Sequence, residues 1–495
     1  MGVAASLTTD PVADDPHLSV VPRTAAEAER IAAVLAPPTD FTAPERFEPR
    51  PGGAATTMEK PDKRAFSHAS ANISFERELD FRVGRALFQK LWVTAPSSTI
   101  ASDGLGPLYN ARSCQRCHLN DGRGHPPETA EDRAVSLVVR AGIPGRVPDD
   151  HEIGGYLAAV GDPVYGQQIS DHSIPGVPAE AKIAVEWEEH EVALSEGETA
   201  TLRRPLWRLE KLGYGPLDAE TALSPRVAPQ LIGLGLLEAI PAADILALAD
   251  PDDADGDGIS GRANIVWSEE FQRPMLGRFG VKATSPTLRE QSADAFANDI
   301  GISSPLRRMP AGECTEAQTR CLGAPTGQAA VHDGEEIAFI ALDAVTFFAR
   351  NLAVPARRGI DHPEVLRGKE VFHTAGCAAC HTPKHVTHRL TDQPEQSFQL
   401  IWPYTDLLLH DMGEGLADRL PAAGATGREW RTPPLWGIGL APLVNGHSYY
   451  LHDGRARSLL EAVLWHGGEA EAARNRVVEM PKADRDALIR FIGSL

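Results

Sequence analysis

The chain is predicted to be mainly α-helical, two like units joined by long loops, and three observations say so. Cys114-Gln-Arg-Cys117-His118 and Cys377-Ala-Ala-Cys380-His381 repeat one pentapeptide. Gly84-x-x-x-Phe88 precedes the first and Gly368-x-x-x-Phe372 the second, each on an amphipathic helical pattern. Arg226-x-x-Pro229 leads to Gly233-Leu-Gly235-Leu236, and Arg431-x-x-Pro434 leads to Gly437-Ile-Gly439-Leu440, again one after each pentapeptide. Recurrence in one order argues for a duplicated domain. The Gly of each helix permits close helix contact, and the Phe can lie against a flat cofactor.

The pentapeptide supplies that cofactor. A c-type haem needs two thiols three residues apart for the porphyrin vinyl groups, and a His immediately after them to ligate iron. Structural zinc is the rival for paired Cys-x-x-Cys, but zinc does not require His at the same place after both pairs. Cysteine is scarce, six in the chain, and four of the six are used in this way. Two covalently bound haem c groups are therefore expected, attached at Cys114, Cys117, Cys377 and Cys380 and ligated by His118 and His381. The units are cytochrome c-type domains at 67–334 and 335–495, after an extended arm at 1–66 rich in Pro, Ala, Asp and Glu. A small β-hairpin insertion is expected in the first unit. Val185, Trp187 and the alternating run Glu188–Leu194 form one strand, Ser195-Glu196-Gly197 the turn, and Thr199–Leu202 the return.

With 495 residues the chain exceeds one ordinary core. Its 68 acidic against 48 basic side chains give a net charge of −20 with no basic stripe, which argues against nucleic acid. The acidic surface suits a basic electron-transfer partner. No stretch approaches ~18 continuous apolar residues, so no membrane span is expected. Cys314 and Cys321 are left for a local disulfide, with free thiols as the alternative. Disulfide and covalent haem both point to the periplasm. Met1 to Val20 lacks a basic start and a ~7–15-residue apolar core, so it does not read as a signal peptide. Met1-Gly2-Val3-Ala4-Ala5-Ser6 matches a myristoylation pattern and is read as coincidence.

Longer runs carry a resemblance. They are Asp103-Gly-Leu-Gly-Pro-Leu-Tyr-Asn-Ala-Arg-Ser-Cys114, Gly233-Leu-Gly-Leu-Leu-Glu238-Ala-Ile-Pro241, Leu352-Ala-Val-Pro-Ala-Arg-Arg358, Leu409-His-Asp-Met-Gly413 and His452-Asp-Gly-Arg455. With them the chain, from about Ala65 to its carboxyl end, resembles the di-haem oxidoreductase family labelled peroxidase or thiol oxidoreductase. Its plan is similar to that of bacterial di-haem cytochrome c peroxidases and of the methylamine-utilisation di-haem enzyme. The resemblance implies a reactive first haem and a second haem that relays electrons. It implies peroxide or another small molecule as substrate and a small cytochrome or cupredoxin as electron donor. Val281, in Gly277–Ala283, stands where the family pattern has Trp, which removes a candidate for electron hopping between the haems.

Axial ligands and acid groups complete the reading. His466 follows His452-Asp-Gly454 on an expected helix, where the related peroxidases carry the distal ligand of the second haem. His410 and Met412 compete with it. Glu238 follows the repeated Gly-x-Gly-Leu element and is the expected acid/base of the first haem, with a salt-bridging or capping Glu as the bland alternative. His125 could instead occupy that iron. Asp253, Asp255, Asp257 and Ile259 are spaced like a calcium loop, but Asn264 stands where a bidentate Glu usually ends it. The expected activity is a periplasmic di-haem oxidoreductase of peroxidase type. A non-enzymatic electron-transfer cytochrome and a haem oxygenase for hydrophobic substrates are the alternatives.

Overall fold

The computed structural model describes residues 11–129, 132, 136–147 and 153–495. The Met1–Ser6 run, and the first half of the Met1–Val20 end weighed as a leader, lie outside them. The elements that position the site are, in order, α1 (Phe75–Gln89), β1 (Leu137–Pro144), β2 (Lys182–Ala193), β3 (Thr199–Glu210) and β4 (Ala222–Val227). They continue with α2 (Leu234–Glu238), α3 (Leu288–Asp299), α4 (Phe339–Arg350), α5 (Pro363–Thr374), α6 (Leu459–Leu464) and α7 (Lys482–Ser494).

The expectation of a mainly α fold is corrected. The chain is 30% helical and 18% strand, a mixed fold with many small sheets. The reason lies in the long loops, whose buried backbone groups need partners that helices do not supply. Two-residue ladders such as Leu108–Tyr109 with His172–Ser173 supply them. β1 pairs antiparallel with β4 from Leu137↔Val227 to Gly142↔Ala222. The β2–β3 hairpin runs from Lys182↔Glu210 to Ala193↔Thr199, longer than the sequence pattern suggests. Its turn is closed by Glu196 at φ 60° and Gly197 at φ 79°.

Two helix pairs form the frame, and each crosses at a glycine. A Cβ on Gly84 of α1 would lie 2.0 Å from the Ala344 carbonyl of α4, and one on Gly368 of α5 would lie 1.9 Å from the Ala487 carbonyl of α7. Phe88 then meets Phe348 at 5.1 Å between ring centroids, and Phe372 meets Phe491 at 5.3 Å. The Gly-x-Gly-Leu elements repeat as well. Gly233 and Gly437 are both left-handed, at φ 71° and 70°. A Cβ on Gly235 would clash with the Arg350 carbonyl at the end of α4, and one on Gly439 with the Gly493 carbonyl near the end of α7. α4, which begins after the expected boundary at 335, packs on α1.

The amino arm straps the two units. Val20–Val21 pairs with Arg389–Leu390. Glu48, 1% exposed, accepts from Lys369 at 2.8 Å and from Arg357 at 2.8 Å. Asp15 meets Arg278 at 2.5 Å and His388 at 2.8 Å. Buried carboxylates of this kind persist because they are paired. Cys314 and Cys321 form a disulfide.

The glycine crossings are testable. Gly84→Ala and Gly368→Ala should each destabilise the protein by about 1–3 kcal/mol, as overpacking does. Gly155→Ala, with open space around its Cβ, should be close to neutral in the same urea titration.

Candidate functional site

The two pentapeptides adopt the same local geometry. His118 N–H donates to the Cys114 carbonyl and His381 N–H to the Cys377 carbonyl, both at 3.0 Å, so each His leaves a single turn that began at its first Cys. His118 Nδ1 is 2.8 Å from the Pro229 carbonyl and His381 Nδ1 is 3.0 Å from the Tyr404 carbonyl. Each ring thus donates from Nδ1 to backbone, which fixes the tautomer and leaves Nε2 as the metal-binding lone pair. Burial pushes both imidazoles down to about 4, so both are neutral at neutral pH, the form that metal ligation needs. Phe88 lies 6.1 Å from the His118 ring and Phe372 6.3 Å from the His381 ring.

The thiols fit haem better than zinc. Burial pushes Cys114 and Cys377 up to about 12, and Cys117 and Cys380 also rise. Among the described residues, the one group of three or more acidic, His or Cys side chains with ligand atoms within 4.8 Å of one another is Asp250, Asp253 and Asp255. Neither pentapeptide therefore closes a compact metal cage. Each lies instead beside an apolar cluster: Cys114 packs with Phe81, Phe88, Trp92, Phe296 and Phe348. Cys377 packs with Phe372, Trp402, Tyr404, Trp465 and Phe491.

Residues 48–495 match the model of the family described as "Di-haem oxidoreductase, putative peroxidase". The chain belongs to this di-haem oxidoreductase family. It is accordingly a haem-binding oxidoreductase. No curated protein matches it. Among solved structures it is similar to one titled "Kuenenia stuttgartiensis Hydrazine Synthase Pressurized with 20 bar Xenon", at 18% identity and a TM-score of 0.24. That match covers 39% of this chain and 65% of the other, a likeness too slight to bear on the fold.

The di-haem oxidoreductase places His466 just beyond α6, with Nδ1 2.7 Å from the Ala462 carbonyl, which again leaves Nε2 available. Its charge is among the lesser influences that lower His381, after burial. His410 is spoken for. Its Nε2 meets Asp406 at 2.8 Å, and its Nδ1 meets Glu469 at 2.7 Å and the Cys380 sulfur at 3.5 Å. Burial alone would lower it, but the bonds to Asp406, Cys380 and Glu469 prevail and hold it up at about 12. Met412 packs half-buried on the second cluster. His125 directs Nδ1 to the Pro126 carbonyl and packs against the His447 ring.

Around the first centre, α3 occupies the place that α6 takes at the second. Thr287 caps α3 by accepting from Glu290 N–H, and Ser458 caps α6 by accepting from Glu461 N–H. α3 packs on α4, as α6 packs on α7. Counting from the caps, Ala295 stands where His466 stands. Glu238 is fully buried, accepts from Leu288 N–H at the start of α3 at 2.8 Å and pairs with Arg350 at 2.8 Å. Burial would raise its carboxyl, but Arg350 and then His17 hold it below the usual range. At the other end of α3, Asp299 is raised by burial, accepts from Gln168 at 2.8 Å, and bears electrostatically on both Cys114 and Cys117. Sequence reading missed Asp299, because nothing in its local spacing marks it.

Two further residues emerge only in three dimensions. Trp430 stacks on the His452 ring at 3.6 Å, and its neighbour Arg431 donates to the Val281 carbonyl at 2.9 Å. An indole thus stands beside the position where the family pattern has Trp. In the acidic loop, Asp250 rather than Asp257 joins Asp253 and Asp255. Asp257 instead accepts from Ile259 N–H at 2.8 Å.

The buried His410 predicts a pH dependence. A folded pKa raised from about 6.5 to about 12 stabilises fully below pH 6.5 and progressively less as pH climbs toward 12. The stability advantage over His410→Gln should therefore shrink by up to about 1.4 kcal/mol per pH unit above 6.5, measured by chemical denaturation between pH 6 and 9.

Proposed function

We propose that the protein is a periplasmic di-c-type-haem oxidoreductase of peroxidase type. Thioether bonds would form at Cys114, Cys117, Cys377 and Cys380, with His118 and His381 as the first axial ligands. His466 would complete the second iron and make it the relay. The observation that carries the reading is the pair of like turns, each ending in a His that burial keeps neutral and whose Nδ1 is held by a backbone carbonyl. Counted from the helix caps, His466 beyond α6 corresponds to Ala295 within α3. When bound, the first haem supplies the redox chemistry that breaks an O–O bond.

The chain's own groups supply protons and keep water out. Reducing peroxide to water consumes two protons with two electrons, so a group able to hold a proton beside the open face is needed. Glu238 is held ionised by Arg350 and caps α3, which suits it to positioning that helix. Asp299, whose carboxyl burial raises above its ordinary value, is suited to hold and return the proton. The apolar cluster of Phe88, Phe296 and Phe348 excludes bulk water from that exchange. Electrons would come from a small cytochrome or cupredoxin, and the net charge of −20 favours a basic one. Ca²⁺ would be held by Asp250, Asp253 and Asp255, pinning the loop that reaches the second centre: Ser260 donates to Glu469 at 2.7 Å, and Glu469 meets His410.

Pyridine haemochrome analysis of the purified protein should give two thioether-linked haems. Cys377→Ala with Cys380→Ala should remove one, and His466→Ala should keep both while producing a high-spin signal. Stoichiometric zinc with no haem would end this reading. Asp299→Asn should slow the reaction with peroxide by about 10²–10⁴-fold with the second haem's spectrum intact. If Glu238→Gln shows the larger loss with α3 undisturbed, the proton belongs to Glu238. Chelation should lower the melting temperature, and Asp255→Ala should abolish the difference, because an ion bound only by the native state stabilises it. Equal melting with and without chelator removes Ca²⁺ from the account.

A further inference from the structure

The imidazoles of His118 and His381 are joined by an unbroken run of covalent and hydrogen bonds. His118 donates from Nδ1 to the Pro229 carbonyl at 2.8 Å. The next residue, Gln230, donates from Nε2 to the Trp436 carbonyl at 2.6 Å. Leu435, peptide-bonded to Trp436, donates from its N–H to the Pro403 carbonyl at 2.8 Å. Tyr404 follows Pro403, and its carbonyl accepts from His381 Nδ1 at 3.0 Å. Gln230 and Leu435 hold equivalent places in the duplicated element, each one residue after its Pro. The bridge is therefore built where the two copies touch.

Its middle is dry and closely held. Gln230 is 7% exposed, and Trp436 and Tyr404 are fully buried. Trp436 packs with Phe66, Ile232 and Leu440 in one apolar cluster, and a Cβ on Gly233 would lie 2.3 Å from its ring. Turned over, the Gln230 amide would set oxygen against oxygen, so only its amino group suits the Trp436 carbonyl. Pairing a buried carbonyl is ordinary in itself. Ordinary pairing does not require that both ends of the run finish on the ring nitrogens opposite the two metal-binding lone pairs.

A tunnelling electron is carried better through bonded orbitals than across a van der Waals gap, and a hydrogen bond interrupts that path less than a gap does. The rival route contains such a gap. Val227 N–H donates to the His452 carbonyl at 2.8 Å, but the His452 ring then meets Trp430 only by stacking, at 3.6 Å. It returns through Thr405, beside Tyr404, whose hydroxyl donates to the Thr432 carbonyl at 2.6 Å. Lys282 also stands 4.2 Å from the centre of the Trp430 ring, and a cation on that face makes the indole harder to oxidise. We propose that electrons pass between the two haems through the bridge, with Gln230 as the one side chain that joins its two backbone halves. One electron leaves the second iron, which goes from ferrous to ferric, and enters the first, which goes from ferric to ferrous. No proton moves, and no bond is made or broken. Gln230 acts through the two imidazoles and is a positioning residue for that transfer. The bridge rests on the haem assignments proposed above.

The test is pulse radiolysis of the purified holoprotein, with a dose well below one electron per molecule, followed at wavelengths that separate the two haems. After the bimolecular reduction, the parent should show a redistribution phase whose rate is independent of protein concentration. Gln230→Met and Gln230→Leu keep bulk and remove the donor. Each should slow that phase at least tenfold, with both haem spectra, both potentials and the melt as in the parent. A glutamine needed only for packing would instead shift the melt or the spectra and spare the rate. Trp430→Phe should keep the parent rate. A two-haem parent with no such phase, or folded Gln230 variants at the parent rate, would overturn the bridge and leave the functional reading standing. Slowing in Trp430→Phe but not in Gln230→Met would move the route to His452 and Trp430. A parent without two haems would overturn the functional reading itself, and the bridge with it.

Discussion

Everything in this molecule hangs on two places where a helix backbone touches another helix backbone. Gly84 against Ala344 and Gly368 against Ala487 bring their helices so close that no Cβ could stand between them. That approach sets where Phe88 and Phe372 end, and these rings stand beside the two imidazoles. Close packing of this kind tolerates little change, because an interior at crystal density has no slack to absorb a displaced helix. The loops that complete each centre are then free to differ, since the crossings do not depend on them.

They differ considerably. At the second centre the proximal imidazole bonds to the Tyr404 carbonyl, whereas at the first it bonds to Pro229 within the repeated Arg-x-x-Pro element. The second copy of that element, through Trp436, packs instead against Gly233 of the first, and Gly437 packs against Ile232 in return. The two copies therefore meet each other as well as serving their own units. Duplication gave two frames; counted from the two helix caps, His466 and Ala295 differ between them.

The sequence made the pentapeptides, the two glycine helices and the hairpin legible because each is a local pattern with a fixed spacing. The many short ladders were not legible, since pairs such as Val20 with Leu390 join segments far apart and carry no periodicity of their own. The contact of α4 with α1 was illegible for a related reason: a long insertion separates the two helices in the chain. The same holds at the sites. His118, His381 and His466 sit in motifs, whereas Asp299, Trp430 and His17 acquire meaning from neighbours tens to hundreds of residues distant. Glu238 was conspicuous in sequence, yet its partner Arg350 lies at the end of a different helix.

The amino arm has a consequence for how the protein is made. Its contacts with Lys369, Arg357, His388 and Leu390 all lie far downstream, so the arm emerges first and its partners much later. Closing so long a loop is entropically slow, and domains otherwise fold as they are completed. The strap across the two units therefore cannot close until the partners it joins are in place.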